Sequence, residues 1–149
     1  MTNPRSTAQI AGHPIHPMLV PFPIAFLVGT LASDLAYRCT DDAFWPAASY
    51  WLLAAALVMA ALTAVVGLID FLGEPRIRAV SASWHHMIGN VTAVVLSLLS
   101  FWLRYSEGIA AYPMVLWISL VVVFLLLFTG WKGGELVFKH RVGVSDDIL

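Results

Sequence analysis

The chain has a single cysteine, Cys39, and no Cys-x-x-Cys pair. That leaves no internal disulfide, no thiolate zinc site and no covalent c-type haem attachment. Charge is nearly as scarce. Asp, Glu, Lys and Arg make up 11% of 149 residues and the net charge is -1. No basic stripe interleaved with aromatics is present, so nucleic acid is not an expected partner. There is also no low-complexity segment, no polar stretch long enough for a separate soluble domain, and no internal repeat beyond the likeness of one helical hairpin to another. Hydrophobic residues fill the chain instead, at 60%, which is too apolar for an ordinary soluble domain. The length fits one domain.

Four apolar stretches, 18–37, 46–71, 84–103 and 113–131, can each supply the ~20 helical residues that cross a bilayer core. The first could pass for a signal peptide with a poor cleavage site at Leu31-Ala32-Ser33. Three spans follow it, so it is read as a retained helix. Pro21 and Pro23 predict irregular first turns. Alanines at 54–56 and 60–61 predict close helix approach. Trp45, Trp51, Trp84, Trp102 and Trp131 mark span ends, as interfacial tryptophans do. The connections are short, which predicts an all-α antiparallel four-helix transmembrane bundle occupying residues 1–149, with 132–149 as a tail. Arg5, Arg76, Arg78, Lys132, Lys139 and Arg141 fall on one side, and Arg38 and Arg104 on the other. That bias predicts both termini in the cytoplasm.

With this topology all five histidines lie at the cytoplasmic face. His13 and His16 stand where the first helix begins. If helix starts by Pro14, they share a face one turn apart; otherwise they are a polar helix start near lipid headgroups. His85 and His86 open the third helix and differ by ~100° around its axis. The stripe His86, Asn90, Ala93 and Ser97 is small and polar, so His86 is expected to face inward with Asn90 as its hydrogen-bond partner. Asp70 ends the second helix. It either orients a ligand histidine through the second ring nitrogen or pairs with Arg76 or Arg78. Asp34, near the far end of the first helix, is either a buried carboxylate paired with Arg38 one turn on, which is the favoured reading, or a proton-handling group. Gly133 and Gly134 are expected to end the fourth helix sharply. Residues 135–138 would then either fold back over the cytoplasmic mouth or form an ordinary tail.

These motifs carry a resemblance. Gly-His-Pro-x-His-Pro at 12–17, Gly-Leu-x-Asp at 67–70, His-x-x-x-Asn at 86–90, and Gly-Gly-Glu-Leu-Val at 133–137 with Val-Gly-Val at 142–144 resemble a bacterial integral membrane family. It is catalogued as domain of unknown function 2231. The resemblance spans residues 12–144 and marks His13, Pro14, His16, Pro17, Gly67, Asp70, His86, Asn90, Gly133, Gly134 and Glu135, with His85 and His140 less firmly in the pattern. It carries no activity. It implies a bacterial inner membrane, and redox company, because some relatives are fused to Rieske-type or cytochrome c domains.

Three functions fit these residues. The first is a haem b protein for electron transfer, with axial imidazoles from His13 or His16 and from His86. Gly67, Gly89 and the alanines would form a thin porphyrin wall, and Arg76, Arg78 and Lys132 would take the propionates. The second is a zinc, iron or copper ion held by His13, His16 and His86 with Asp70 or Glu135, or less readily by His85 or His140. The third is a structural subunit or small transporter in which the histidines form a polar cap. Catalytic residues are not assigned, and a redox carrier or binding protein is expected over a stand-alone enzyme. The expected partners are the lipid bilayer, a Rieske or cytochrome-type redox protein, and further copies of the chain.

Overall fold

The computed structural model describes residues 2–145, which are mostly helical. A two-stranded ribbon of β1 (Gln9–Ile10) and β2 (His13–Pro14) leads into α1 (Ile15–Leu19), α2 (Pro21–Thr40), α3 (Phe44–Gly73), α4 (Pro75–Arg78), α5 (Ser81–Glu107) and α6 (Tyr112–Gly134). A 3-10 turn at Gly108–Ala111 joins α5 to α6, and a π turn at Glu135–Lys139 prolongs α6. Three continuous helical stretches are long and apolar enough to cross a membrane: Ile15–Thr40, Phe44–Gly73 and Ser81–Lys139. The third contains both α5 and α6.

The helix ends follow from local chemistry. Pro21 and Pro23 have no N–H to give, so the ladder breaks at Val20, between α1 and α2. Helix does not begin by Pro14. Ala11 and Gly12 both have positive φ, 48° and 80°, and turn the chain so that Ile10 pairs with His13. A two-residue turn of this kind requires two positive φ values, which glycine tolerates and alanine resists. His13 is therefore extended, and His16 alone lies on α1. Nor do Gly133 and Gly134 end α6 sharply. Gly134 keeps helical dihedrals, and the chain continues into the π turn. Left-handed residues come only later, at Arg141 and Gly143.

The helices are inverted relative to a soluble bundle. Their outer faces carry exposed Phe22, Val58, Leu62, Leu98, Phe124 and Leu127. Many of the buried positions are small or polar, among them Thr30, Ser33, Ser49, Thr63, Ala93, Ser97, Ser100 and Ser119. Lipid is as apolar as leucine. Helices in a membrane therefore gain from close backbone approach and internal hydrogen bonds rather than from hiding hydrophobic side chains. The chain is a membrane protein with transmembrane helices.

The buried positions repeat. In α2 they include Pro23, Leu27, Thr30 and Asp34; in α5 they include Ala93, Ser97, Ser100 and Arg104, at the same intervals. In α3 the set is Ser49, Leu53, Ala56 and Thr63, and in α6 it is Val115, Ser119, Val122 and Thr129, again at matching intervals. Helix packing obeys the same exchange: α2 packs on α3 as α5 packs on α6, and α2 touches α6 as α3 touches α5. Two equivalent helix pairs thus share one burial pattern, the likeness beyond which no internal repeat was expected.

The chain termini close one end. Gly143 N donates to Pro4 O at 2.9 Å, and Asn3 Nδ2 donates to Val144 O at 3.2 Å. Arg76 Nη1 donates to Thr2 O at 2.8 Å. The segment that folds back is 142–144, not 135–138, where Phe138 is 88% exposed.

Candidate functional site: two equivalent imidazoles

His16 and His86 meet just beneath this cap, with ring centroids 6.2 Å apart and planes at 78°. Each ring is held in the same way by the helix beside it. His16 Nδ1 lies 3.1 Å from the carbonyl of Thr63, and His86 Nδ1 lies 2.8 Å from the carbonyl of Thr129. A carbonyl only accepts, so each Nδ1 carries a proton, and in the neutral ring Nε2 then keeps its lone pair. No hydrogen-bond partner of either Nε2 exists among the described residues.

A glycine makes each contact possible. One turn beyond Thr63, a Cβ on Gly67 would lie 2.8 Å from His16 Cε1. One turn beyond Thr129, a Cβ on Gly133 would lie 3.1 Å from His86 Cε1. Thr-x-x-x-Gly is thus used twice as an imidazole seat, once in each hairpin. Gly89 serves helix packing instead, because the Thr129 methyl occupies the space where its Cβ would be. The two glycines expected to form a thin porphyrin wall thus receive the His16 ring, at Gly67, and Thr129, at Gly89.

The other expected site residues lie elsewhere or have other partners. His13 is exposed and bonds its own turn, Nδ1 to Ala11 O at 3.0 Å. His85 is exposed on the outer face of α5, and His140 follows the π turn. Asn90 Nδ2 donates to the His86 carbonyl at 2.8 Å, not to its ring. Lys132 pairs with Glu135 at 2.9 Å. Arg78 Nη1 donates to Leu72 O at 2.6 Å, satisfying a carbonyl at the end of α3. Arg76 pairs with Glu74 at 2.8 Å, and this hydrogen bond holds the Glu74 carboxyl down at about 2. Among the described residues no three His, Cys, Asp or Glu side chains cluster closely enough to hold a metal ion.

Asp70 touches neither a histidine nor an arginine. Its Oδ1 accepts from the backbone N–H of Thr7 and of Ala8, both at 2.7 Å, and its carboxylate accepts from Ser6 Oγ at 2.9 and 3.0 Å. A carboxylate receiving successive backbone amides is a strong charge-assisted anchor. It fastens the N-terminal segment across the end of α3. The local option, Arg76 or Arg78, loses because both arginines have partners at their own loop.

A buried cluster at the opposite end is one that the sequence pattern did not reveal. Asp34 pairs not with Arg38, which is exposed, but with Arg104: Nη1 to Oδ1 at 3.0 Å and Nη2 to Oδ2 at 2.8 Å. Ser49 and Ser119 donate to the same carboxylate, and Arg104 Nη1 also reaches Tyr112 Oη at 3.1 Å. Both side chains of the pair are almost wholly buried, at 3% and 0% exposure. The signal for it was the stripe from His86 to Ser97, which continues through Ser100 to Arg104 on one face of α5.

Comparison with curated proteins and with solved structures finds no match. A family model described as a predicted membrane protein matches residues 12–146. That range takes in both imidazoles, their glycine seats, Asp70 and the buried ion pair. The chain belongs to the family of predicted membrane proteins catalogued as domain of unknown function 2231.

Proposed function

We propose that the protein is an antiparallel four-helix transmembrane bundle with both termini in the cytoplasm of a bacterium, holding one metal centre between His16 and His86. The observation that carries the reading is the matched pair of seated imidazoles. Each has its Nδ1 proton committed to a helix carbonyl and its Nε2 lone pair unused. Metal-ligating histidines are held by a hydrogen bond of this kind, which fixes the tautomer and raises ligand basicity. The up-and-down arrangement is supported by the two hairpins and their short connections. The orientation is supported by the excess of Lys and Arg at the end where the termini meet.

A bare ion suits the site better than a haem. It needs only the space between the rings, whereas a porphyrin needs a broad slot, and His16 already packs on Gly67 and Thr129 on Gly89. Haem b remains the second reading, because axial imidazoles on an iron stand at a comparable separation. Either centre fits a redox carrier or metal-binding protein of the membrane.

The test is purification in detergent after expression with supplied metals and haem, followed by elemental analysis and spectra before and after dithionite. Bound metal that is lost in His16→Ala and His86→Ala supports the reading. A reduced haem α-band lost in the same variants favours the haem form. Metal-free protein under all supplies, or metal retained by both variants, overturns the reading.

A further inference from the structure

We propose, on the reading that His16 and His86 bind metal, that the ion is monovalent copper(I), held in two-coordinate, near-linear fashion between the two Nε2 atoms. Spacing is the first argument. Metal–imidazole bonds are ~2.0 Å, and the ring centroid lies ~1.1 Å behind Nε2, so a linear pair sets the centroids about 6.2 Å apart. The rings of His16 and His86 stand at 6.2 Å with nearly perpendicular planes, and linear coordination leaves the mutual rotation of the two rings free.

Donor number is the second argument. Zinc completes a four-coordinate shell, and iron(II) or manganese(II) a larger one. Beside this pair the described residues supply no third His, Cys, Asp or Glu. Copper(I) has a closed d-shell, is stable with two nitrogen donors, and accepts imidazole.

Charge is the third argument. Both imidazoles are neutral when they ligate. The carboxylates at this end are committed: Asp70 to the amides of Thr7 and Ala8, Glu135 to Lys132, Glu74 to Arg76. Among the described residues no carboxylate at this end touches either ring to offset a divalent ion. Desolvation rises with the square of the charge, so a monovalent ion costs roughly a quarter as much at the same radius. The equivalence of the two seats adds to this, since two matched donors and no third favour an ion that wants only two.

The experiment is an anaerobic titration of the full chain in detergent against copper(I) held by a coloured chelator, in parallel with zinc(II) and with haem. His16→Asn and His86→Asn are the chosen variants. Asparagine keeps an N–H for the Thr63 or Thr129 carbonyl but has no ring nitrogen to ligate, so folding is preserved while the donor is lost. The expected result is one copper(I) per chain, about 100-fold weaker in either variant, with X-ray absorption showing two nitrogen neighbours and no further shell. A three- or four-coordinate shell, or unchanged affinity in both variants, overturns the proposal. Zinc or haem bound through these histidines without copper(I) overturns the choice of copper and leaves the metal-centre reading standing. No binding of any of the three overturns both.

Discussion

Asp34 and Arg104, 70 residues apart, form a two-pronged ion pair in which each Nη of the guanidinium meets one carboxylate oxygen. They hold equivalent positions in the two hairpins, as His16 and His86 do at the other end. Removing one partner of a buried pair leaves an uncompensated charge at a cost of ~3–5 kcal/mol. Asp34→Ala and Arg104→Ala should each lower the thermal midpoint in detergent markedly. The exchange Asp34→Arg with Arg104→Asp should recover more than half of the loss, because Thr30 stands in α2 where Ser100 stands in α5. An exchange variant no more stable than the single variants would count against the equivalence of the hairpins.

Gly67→Ala should weaken metal binding by about 10- to 100-fold, the usual effect of disturbing the groups that orient a ligand. The new methyl would meet His16 Cε1 at 2.8 Å and force the ring off the Thr63 carbonyl. Gly130→Ala is the control, since a Cβ there meets nothing within 4 Å. Equal affinities in the two variants would sink the idea that Gly67 seats the ligand.

Asp70→Asn replaces a charged acceptor of two backbone amides by a neutral one. Hydrogen bonds to a charged group contribute ~1.5–3 kcal/mol, so the amides of Thr7 and Ala8 should exchange with deuterium about 10- to 100-fold faster. Exchange deep in α3 should not change. Unaltered protection at residues 7 and 8 would show that the anchor lies elsewhere.

Glu74 supplies a pH dependence. Arg76 lowers its folded pKa from 4.5 to about 2. A depressed acid contributes stability that is fully present above its unfolded pKa and disappears as pH falls through the folded one. The contribution should hold above pH 4.5 and fade between 4.5 and about 2. The midpoint difference between wild type and Glu74→Gln should shrink across that window, and a difference constant with pH would refute the assignment.

Legibility in the sequence tracks the range of the interaction. His16 and His86 stand out because histidine is conspicuous beside an apolar span. Gly67 and Gly133 stand out too, yet as a porphyrin wall and a helix stop. Their use as ring seats depends on which helix passes in front of them. Asp34 points to Arg38 in the linear chain, because one helical turn is the only spacing that a sequence makes visible. The repeat is hard to read because many of its equivalent positions carry different residues, Asp34 against Arg104 and Leu27 against Ser97, and agree only in being buried.

The order of residues alone dictates the solvent and the helices. Long apolar runs cut by prolines, glycines and short polar turns leave a chain no stable state except helices with their backbone polar groups paired internally and their hydrophobic faces toward lipid. Which polar groups pair is decided only when the helices come together. In lipid every buried donor must find its acceptor inside the protein, and the competition is settled by proximity in three dimensions. Arg104 takes Asp34 from Arg38, the amides of Thr7 and Ala8 take Asp70 from the arginines, and two helix carbonyls fix the protons that leave His16 and His86 with free lone pairs.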